Sequence, residues 1–427
     1  MSSSRLTICH SPMYTVDYGC SKKEWGKNTL KRKVTITLIL VALFTVCSPA
    51  ISAFASGAGV HRNVLKTSFH AAGLHPYFRM HKFSGLVPDA SSGLSASQLR
   101  KAYNVDQLRN QGQGITIAIV VAYGNPNAQA DLDKYDTTYG LPATTITVVY
   151  PQGKPQTVDS GWALETDLDL QMAHAMAPKA KLVLEAAKSA SSANVFAAVQ
   201  DAYTNHGATV VSMSFGSTEF SGETNVDTTF ANGNKTGVSF TAASGDNGTG
   251  AQYPAASPFV TAIGGTTLNI QSDGTYVSET AWSGSGGGVS AIEKRPSFQA
   301  GFNNQSGRGI PDVAMVADPT TGVSIYDSFG YQGQKGFFIV GGTSVSTPLF
   351  AGILALADAL RSSSMKNADI EIYNVARSHY AADFHDITSG SNGNCGSLCN
   401  AHSGYDYVTG LGSPVANKLV PDLATAA

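Results

Sequence analysis

GITIAIVVAY, residues 114–123, is a near-continuous apolar run rich in β-branched residues. A run of that length and composition marks a strand buried on both faces, as in a parallel sheet. Downstream, two patterns alternate. Strand-like stretches fall at 145–150, 180–187, 209–215 and 238–243. Helix-like stretches fall at 162–176, which stops before Pro178, at 192–205, between the last two strands, and at 343–361. A short helix is expected at 96–103. This alternation predicts an α/β fold, a parallel sheet flanked by helices on both faces. Ligand sites in such sheets lie beyond the carboxyl ends of the strands. Polar residues there are the first candidates for chemistry.

Composition narrows the class. The chain has 427 residues, 42% of them hydrophobic and only 14% charged, against the roughly 25% charged usual for soluble domains. Plentiful apolar residues argue against disorder. A formal net charge of -2 argues against a nucleic-acid-binding surface. Residues 1–55 hold seven of the basic and two of the acidic residues, so the rest of the chain carries a balance of -7. The basic cluster Lys31-Arg32-Lys33 precedes an apolar run from Val34 to about Cys47, then Pro49 and Ala53-Phe54-Ala55. That order predicts a signal peptide cleaved after Ala55, hence a secreted protein. The run nearly reaches the length of a membrane span, so an uncleaved anchor is the alternative, and it is the only membrane contact expected. The organisation expected is an N-terminal extension (1–33), the export segment (34–55), a short leader or linker (56–94) and one domain (95–427). Of five cysteines, Cys9, Cys20 and Cys47 precede the cleavage site. Cys395 and Cys399 remain, in a Gly/Ser/Asn-rich loop, and predict one small disulfide outside the cell. With His402 they make only three ligands, too few for structural zinc.

The string Gly341-Gly342-Thr343-Ser344-Val345-Ser346-Thr347-Pro348 follows a strand at 337–340 and opens a helix. A serine at a helix N-terminus suits a nucleophile whose intermediate is an oxyanion. A plain helix cap is the structural alternative. The string occurs around the nucleophile of subtilisin-like folds, but their other partners are missing. No Asp ends the strand at 120–123, and no His opens a helix. His174 lies mid-helix among Ala and Met and reads as core packing. In place of an imidazole stands Glu165-Thr166-Asp167-Leu168-Asp169, with Glu165 and Asp169 on one helical face. Two such carboxyls couple, and one can hold a proton while the other stays charged. Taken alone, the segment also reads as a solvated acidic face.

Together these motifs resemble the sedolisins, the serine-carboxyl peptidases, over about residues 95–420. Glu165 and Asp169 ahead of Ala177-Pro178, Ser244-Gly245-Asp246, Arg308-Gly309-Ile310-Pro311-Asp312, and Gly342-Thr343-Ser344 appear in family order. The resemblance implies a three-layer subtilisin-like fold and an acid-acting endopeptidase of protein and peptide substrates. It implies Ser344 as nucleophile, Glu165 as base, Asp169 as its partner and Asp246 as a protonated oxyanion-hole donor. Ser214, Phe215 and Gly216 match the substrate-pairing edge, where the family often has Trp in place of Phe215. One Ca2+ is implied near the C-terminus, on Asp386, Ile387, His402, Gly404 and Asp406, with His402 where Gly is common. The family's large N-terminal prodomain has only about 40 residues as counterpart between Ala55 and the catalytic region. A monomer is expected. The other reading from these residues is a catalytically inactive binding protein on the same fold.

Overall fold

A computed structural model describes residues 73–81 and 93–426. The expected N-terminal extension, the export segment and most of the leader lie outside the described residues. The alternation read from the sequence forms one central sheet. Its strands are β1 (Thr116–Ala122), β2 (Ile146–Val149), β3 (Lys181–Ala187), β4 (Val210–Met213), β6 (Ser239–Ala243), β7 (Thr261–Ile270), β8 (Tyr276–Ala281) and β9 (Val313–Val316). The order is β8–β7–β6–β4–β1–β3–β2, with β9 also on β7. Every pairing is parallel except β7–β8 at one edge. From Ile117 to Ala122, β1 is fully buried at the sheet centre, as its uninterrupted apolar run requires.

The helices are α1 (Ala96–Ala102), α2 (Ala128–Tyr139), α3 (Ser160–Met176), α4 (Ser192–Thr204), α5 (Asp227–Lys235), α6 (Thr343–Asp358), α7 (Ala368–Asp383) and α8 (Ala416–Thr425). Helices α3 and α6 pack on each other, α6 lies on β4, β6 and β7, and α4 lies on β3 and β1. Among the described residues, no helix is long and apolar enough to cross a membrane. The solvated acidic face that α3 could offer on its own is not formed, because residues 162–176 are all buried. His174 is the core residue expected: its Nε2 meets the Pro142 carbonyl at 2.9 Å and Asp136 at 3.4 Å.

Two expectations change. The strand expected at 209–215 splits at Ser214: β4 stays in the central sheet, and β5 (Phe215–Thr218) turns away to pair antiparallel with Gln252–Tyr253. The part of the leader at 73–81 is not an unstructured linker. His75–Pro76 pairs with β5, and Arg79–Met80 pairs with the second strand of the hairpin β10 (Val323–Tyr331) and β11 (Gln334–Gly341). Backbone pairing of this kind needs no apolar periodicity, so the sequence pattern did not betray it.

The Arg308 stretch forms a buried polar knot beneath β7 and α7. Arg308 is fully buried and donates to both carboxylate oxygens of Asp312, at 2.7 and 2.5 Å, with Asp369 at 3.6 Å. Asp312 also accepts from the Ala262 N–H at 2.8 Å and the Tyr373 hydroxyl at 2.9 Å. A buried guanidinium is tolerated only when paired in this way.

Candidate active site

Ser344 is the second residue of α6, at the carboxyl end of β11. Pro348 sits one turn on, where it removes the N–H that would otherwise bond the Ser344 carbonyl. The Ser344 hydroxyl donates to the Ser214 carbonyl at 3.1 Å. The split between β4 and β5 aims Ser214 two ways. Its carbonyl meets Ser344, and its hydroxyl donates to Asp169 Oδ1 at 2.5 Å. Ser344, Glu165 and Asp169 are each fully buried. Burial first, and the Asp169 charge second, hold the Glu165 carboxyl well above its usual range, while the Ser344 hydroxyl works against this. Burial also raises Asp169, opposed by the Ser214 hydroxyl and by the neighbouring Glu165 carboxyl. Both Glu165 oxygens and Asp169 Oδ2 are without a hydrogen-bond partner among the described residues, and removal from water keeps the pair protonated to higher pH than free carboxylic acids.

Asp246 approaches from the loop after β6. Its Oδ1 accepts from the Thr343 N–H at 2.8 Å and the Thr343 hydroxyl at 2.9 Å. Its Oδ2 has no hydrogen-bond partner. Burial pushes this carboxyl up to about 7, despite the Thr343 bonds and the nearby Arg79. Gly342 has φ +100°, and a Cβ there would lie 2.3 Å from the Tyr77 carbonyl oxygen and 2.5 Å from Asp246 Oδ2. Glycine therefore leaves the space in which a carbonyl oxygen and a carboxyl group meet.

That space is filled by the chain itself. Residues 74–81 cross the site in extended form. The Leu74 N–H donates to the Ala190 carbonyl at 2.9 Å, and the Tyr77 N–H to the Ser214 carbonyl at 3.1 Å. The Ser344 N–H donates to the Tyr77 carbonyl at 2.9 Å. Beyond it, Phe78 packs edge-on against Tyr331, with centroids 5.4 Å apart. Arg79 donates to the Asp246 carbonyl at 3.0 Å and Asn247 Oδ1 at 2.6 Å, with its Nε 3.6 Å from Asp246 Oδ2. Ser214, Phe215 and Gly216 do line this segment, with Gly216 opposite His75 and Phe215 opposite Pro76. Phe215 itself points into an aromatic cluster with Trp162 and Phe196. Neither the crossing segment nor Gln252, which meets the Tyr77 hydroxyl, carried a sequence signal.

At the C-terminal loops, Asp386 accepts from the Tyr380 hydroxyl, the Ser403 hydroxyl and the Gly404 N–H, at 2.9 to 3.2 Å. Asp406 is buried and accepts from the N–H groups of His402, Val408 and Thr409. Ile387 is buried beside Asp386, while the His402 side chain is exposed and only its backbone faces Asp406. Cys395 and Cys399 are bonded, closing the loop between these halves.

A hydroxyl at a helix N-terminus, a coupled carboxyl pair, and an amide beside a carboxyl that burial raises are together equipped for attack on a peptide carbonyl. Comparisons agree. Residues 160–382 match the Subtilase family. The chain is 32% identical to kumamolisin of Bacillus sp. (strain MN-32) over 396 residues, covering 82% of this chain and 68% of that protein. It is 32% identical to sedolisin of Pseudomonas sp. (strain 101), covering 71% of this chain and 57% of that protein. The solved structure of Pseudomonas sedolisin with two molecules of pseudo-iodotyrostatin superposes with a TM-score of 0.70 at 28% identity, over 77% of this chain and 97% of that one. With the fold, the motif order and these relatives in agreement, the chain belongs to the sedolisin family of serine-carboxyl peptidases, hydrolases built on a subtilisin-like fold.

Proposed function

We propose that the protein is an exported, acid-acting endopeptidase, and that its first substrate is its own chain, cut between Tyr77 and Phe78. The observation that carries this is the Tyr77 carbonyl on the Ser344 amide, within a segment whose backbone pairs on both sides of that bond. Four residues, Leu74 to Tyr77, lie on the amino side, with chain continuing before them. Room for four residues on that side suits internal bonds rather than release of a terminal tripeptide.

The steps follow from the residues. Ser344 Oγ attacks the Tyr77 carbonyl carbon, and its proton passes to the ionised member of the Glu165–Asp169 pair. The Ser344 N–H and the Asp246 carboxyl O–H donate to the oxyanion. Collapse breaks the C–N bond, and the carboxyl pair returns the proton to the Phe78 amine. Water then hydrolyses the acyl-enzyme by the same route in reverse. Asp246 can donate only when protonated, which supports action at acidic pH. Arg79 favours the ionised form, but it is the smallest of the causes acting on a carboxyl that burial still raises. The buried Ser344 and intact carboxyl set favour this reading over an inactive binding protein. Export rests on the N-terminal segment read from the sequence.

The loop residues fit a hard divalent cation. Asp386 and Asp406 both act on Tyr380, their partners are hydroxyl and N–H groups rather than cations, and all donors on offer are oxygens. The side chains of Asp386 and Asp406, with loop carbonyls of Ile387, His402 and Gly404, would hold Ca2+. A bound ion there would tie the loops together, away from Ser344. To test the main proposal, the full chain is brought to pH 4 and its fragments are sequenced. A new N-terminus at Phe78, absent in Ser344→Ala, is expected. Persistence of that cut in Ser344→Ala would refute it.

A further inference from the structure

Tyr77 is 8% exposed, and its side chain fills a pocket whose walls belong to two neighbouring strands. Its hydroxyl donates to Gln252 Oε1 at 3.0 Å. Gln252 is the first residue of a short strand held against β5 at Thr218, and β5 itself holds the substrate-like segment. The reading residue is therefore fixed one strand away from the backbone it reads. Its side chain is also braced: a Cβ on Gly245 would lie 3.0 Å from Gln252 Cγ. On the opposite wall, a Cβ on Gly216 would stand 2.8 Å from Tyr77 Cε2 and 3.0 Å from its hydroxyl, and also 2.8 Å from the Tyr253 carbonyl oxygen. That glycine is what makes the pocket deep enough for a phenol.

From this geometry we infer that Gln252 and Gly216 set the preference of the enzyme for tyrosine on the amino side of the cleaved bond. Gly216 admits the ring and Gln252 reads the hydroxyl. Phenylalanine fits the same space but leaves the buried face of the Gln252 amide without its partner. An unmade hydrogen bond in a sheltered pocket costs about a tenfold loss in affinity. Side chains smaller than a ring leave the pocket half filled. The inference rests on reading residues 74–80 as bound in substrate register.

The test uses the self-processed enzyme and two heptapeptides, Leu-His-Pro-Tyr-Phe-Arg-Met and the same peptide with Phe in place of Tyr. The wild type is expected to cleave the Tyr peptide after Tyr, with kcat/KM about tenfold above the Phe peptide. Gln252→Leu is expected to bring that ratio to about one. Gln252→Glu, which keeps an oxygen acceptor at acidic pH, is expected to restore it. Because each variant is its own reference, partial misfolding does not move the ratio. Gly216→Ala is expected to slow both aromatic peptides more than one with Ala at that position. A wild-type ratio near one, or a ratio unchanged in Gln252→Leu, overturns the inference while leaving the peptidase reading standing. Cleavage of neither peptide at any pH refutes the peptidase reading, and the inference with it.

Discussion

The replacement Asp246→Asn removes the titration of the oxyanion-hole carboxyl while keeping its shape. In the wild type, Asp246 is pushed up to about 7 and donates only when protonated. A group of that pKa is about 1% ionised at pH 5 and about 99% ionised at pH 9. Its share of the rate therefore falls roughly a hundredfold across that range. Asparagine keeps an acceptor for the Thr343 N–H and hydroxyl, and puts an N–H donor where Oδ2 stands, at every pH. The quantity to measure is kcat/KM of Asp246→Asn divided by that of the wild type, on one peptide, from pH 4 to 9. The ratio removes most of the Glu165–Asp169 titration, which is common to both proteins; what remains is the charge of Asp246, a lesser cause of the raised Glu165 pKa. It is expected to be flat to about pH 6 and then to rise roughly a hundredfold by pH 9. Asp246→Ala, which supplies no donor, is expected to lose about 10²–10³ in kcat at pH 5. Circular dichroism at each pH confirms that both proteins remain folded. Because Arg79 favours the ionised carboxylate, a peptide with Leu at the Arg79 position is expected to move the wild-type decline to higher pH. A ratio independent of pH, or equal losses for Asn and Ala at pH 5, refutes Asp246 as the pH-gated donor.

Three further outcomes follow from the packing. Buried carboxyls raised by desolvation, to about 8 for Glu185, Glu223 and Asp369 and about 7 for Glu293 and Asp358, stabilise the fold fully below about pH 4. That contribution is lost as pH rises through 7 to 8, so Tm is expected to be higher at pH 5 than at pH 8; the opposite order by differential scanning calorimetry contradicts these assignments. Asp312→Ala leaves the buried Arg308 with Asp369 at 3.6 Å as carboxylate partner and the Gly309 and Val260 carbonyls as acceptors, and is expected to cost about 3–5 kcal/mol in denaturant unfolding, a loss below 1 kcal/mol being incompatible with the pairing described. Removing Ca2+ with a chelator is expected to lower Tm at neutral pH, and no change in Tm removes Asp386 and Asp406 from consideration as ligands.

Much of the fold was legible because it repeats locally. Strand β1, helices α3 and α4, and the opening of α6 each announce themselves within a dozen residues, through apolar runs, helical spacing and the Gly-Gly-Thr-Ser string. The i and i+4 relation of Glu165 and Asp169 is a property of one helix and needs no partner. Burial of that helix was less legible, since α3 is polar enough to pass for a surface helix until the hairpin of β10 and β11 and helix α6 cover it. The break at Ser214 was hidden for another reason: a strand that changes sheets keeps its β-propensity throughout.

What the sequence determined by itself is the alternating α/β order, the serine at a helix N-terminus, and a carboxyl pair in place of an imidazole. These are short-range facts, written in periods of two and 3.6 residues. Only the tertiary structure decided which groups meet. Ser344 reaches Ser214 across 130 residues, and Tyr77 reaches Gln252 across 175. It also decided that residues 74–80 occupy the cleft, since a segment of mixed composition gains its order from the open edges of β5 and β11. Contacts of that range depend on chain topology and on unpaired backbone groups, and neither leaves a local mark in the sequence.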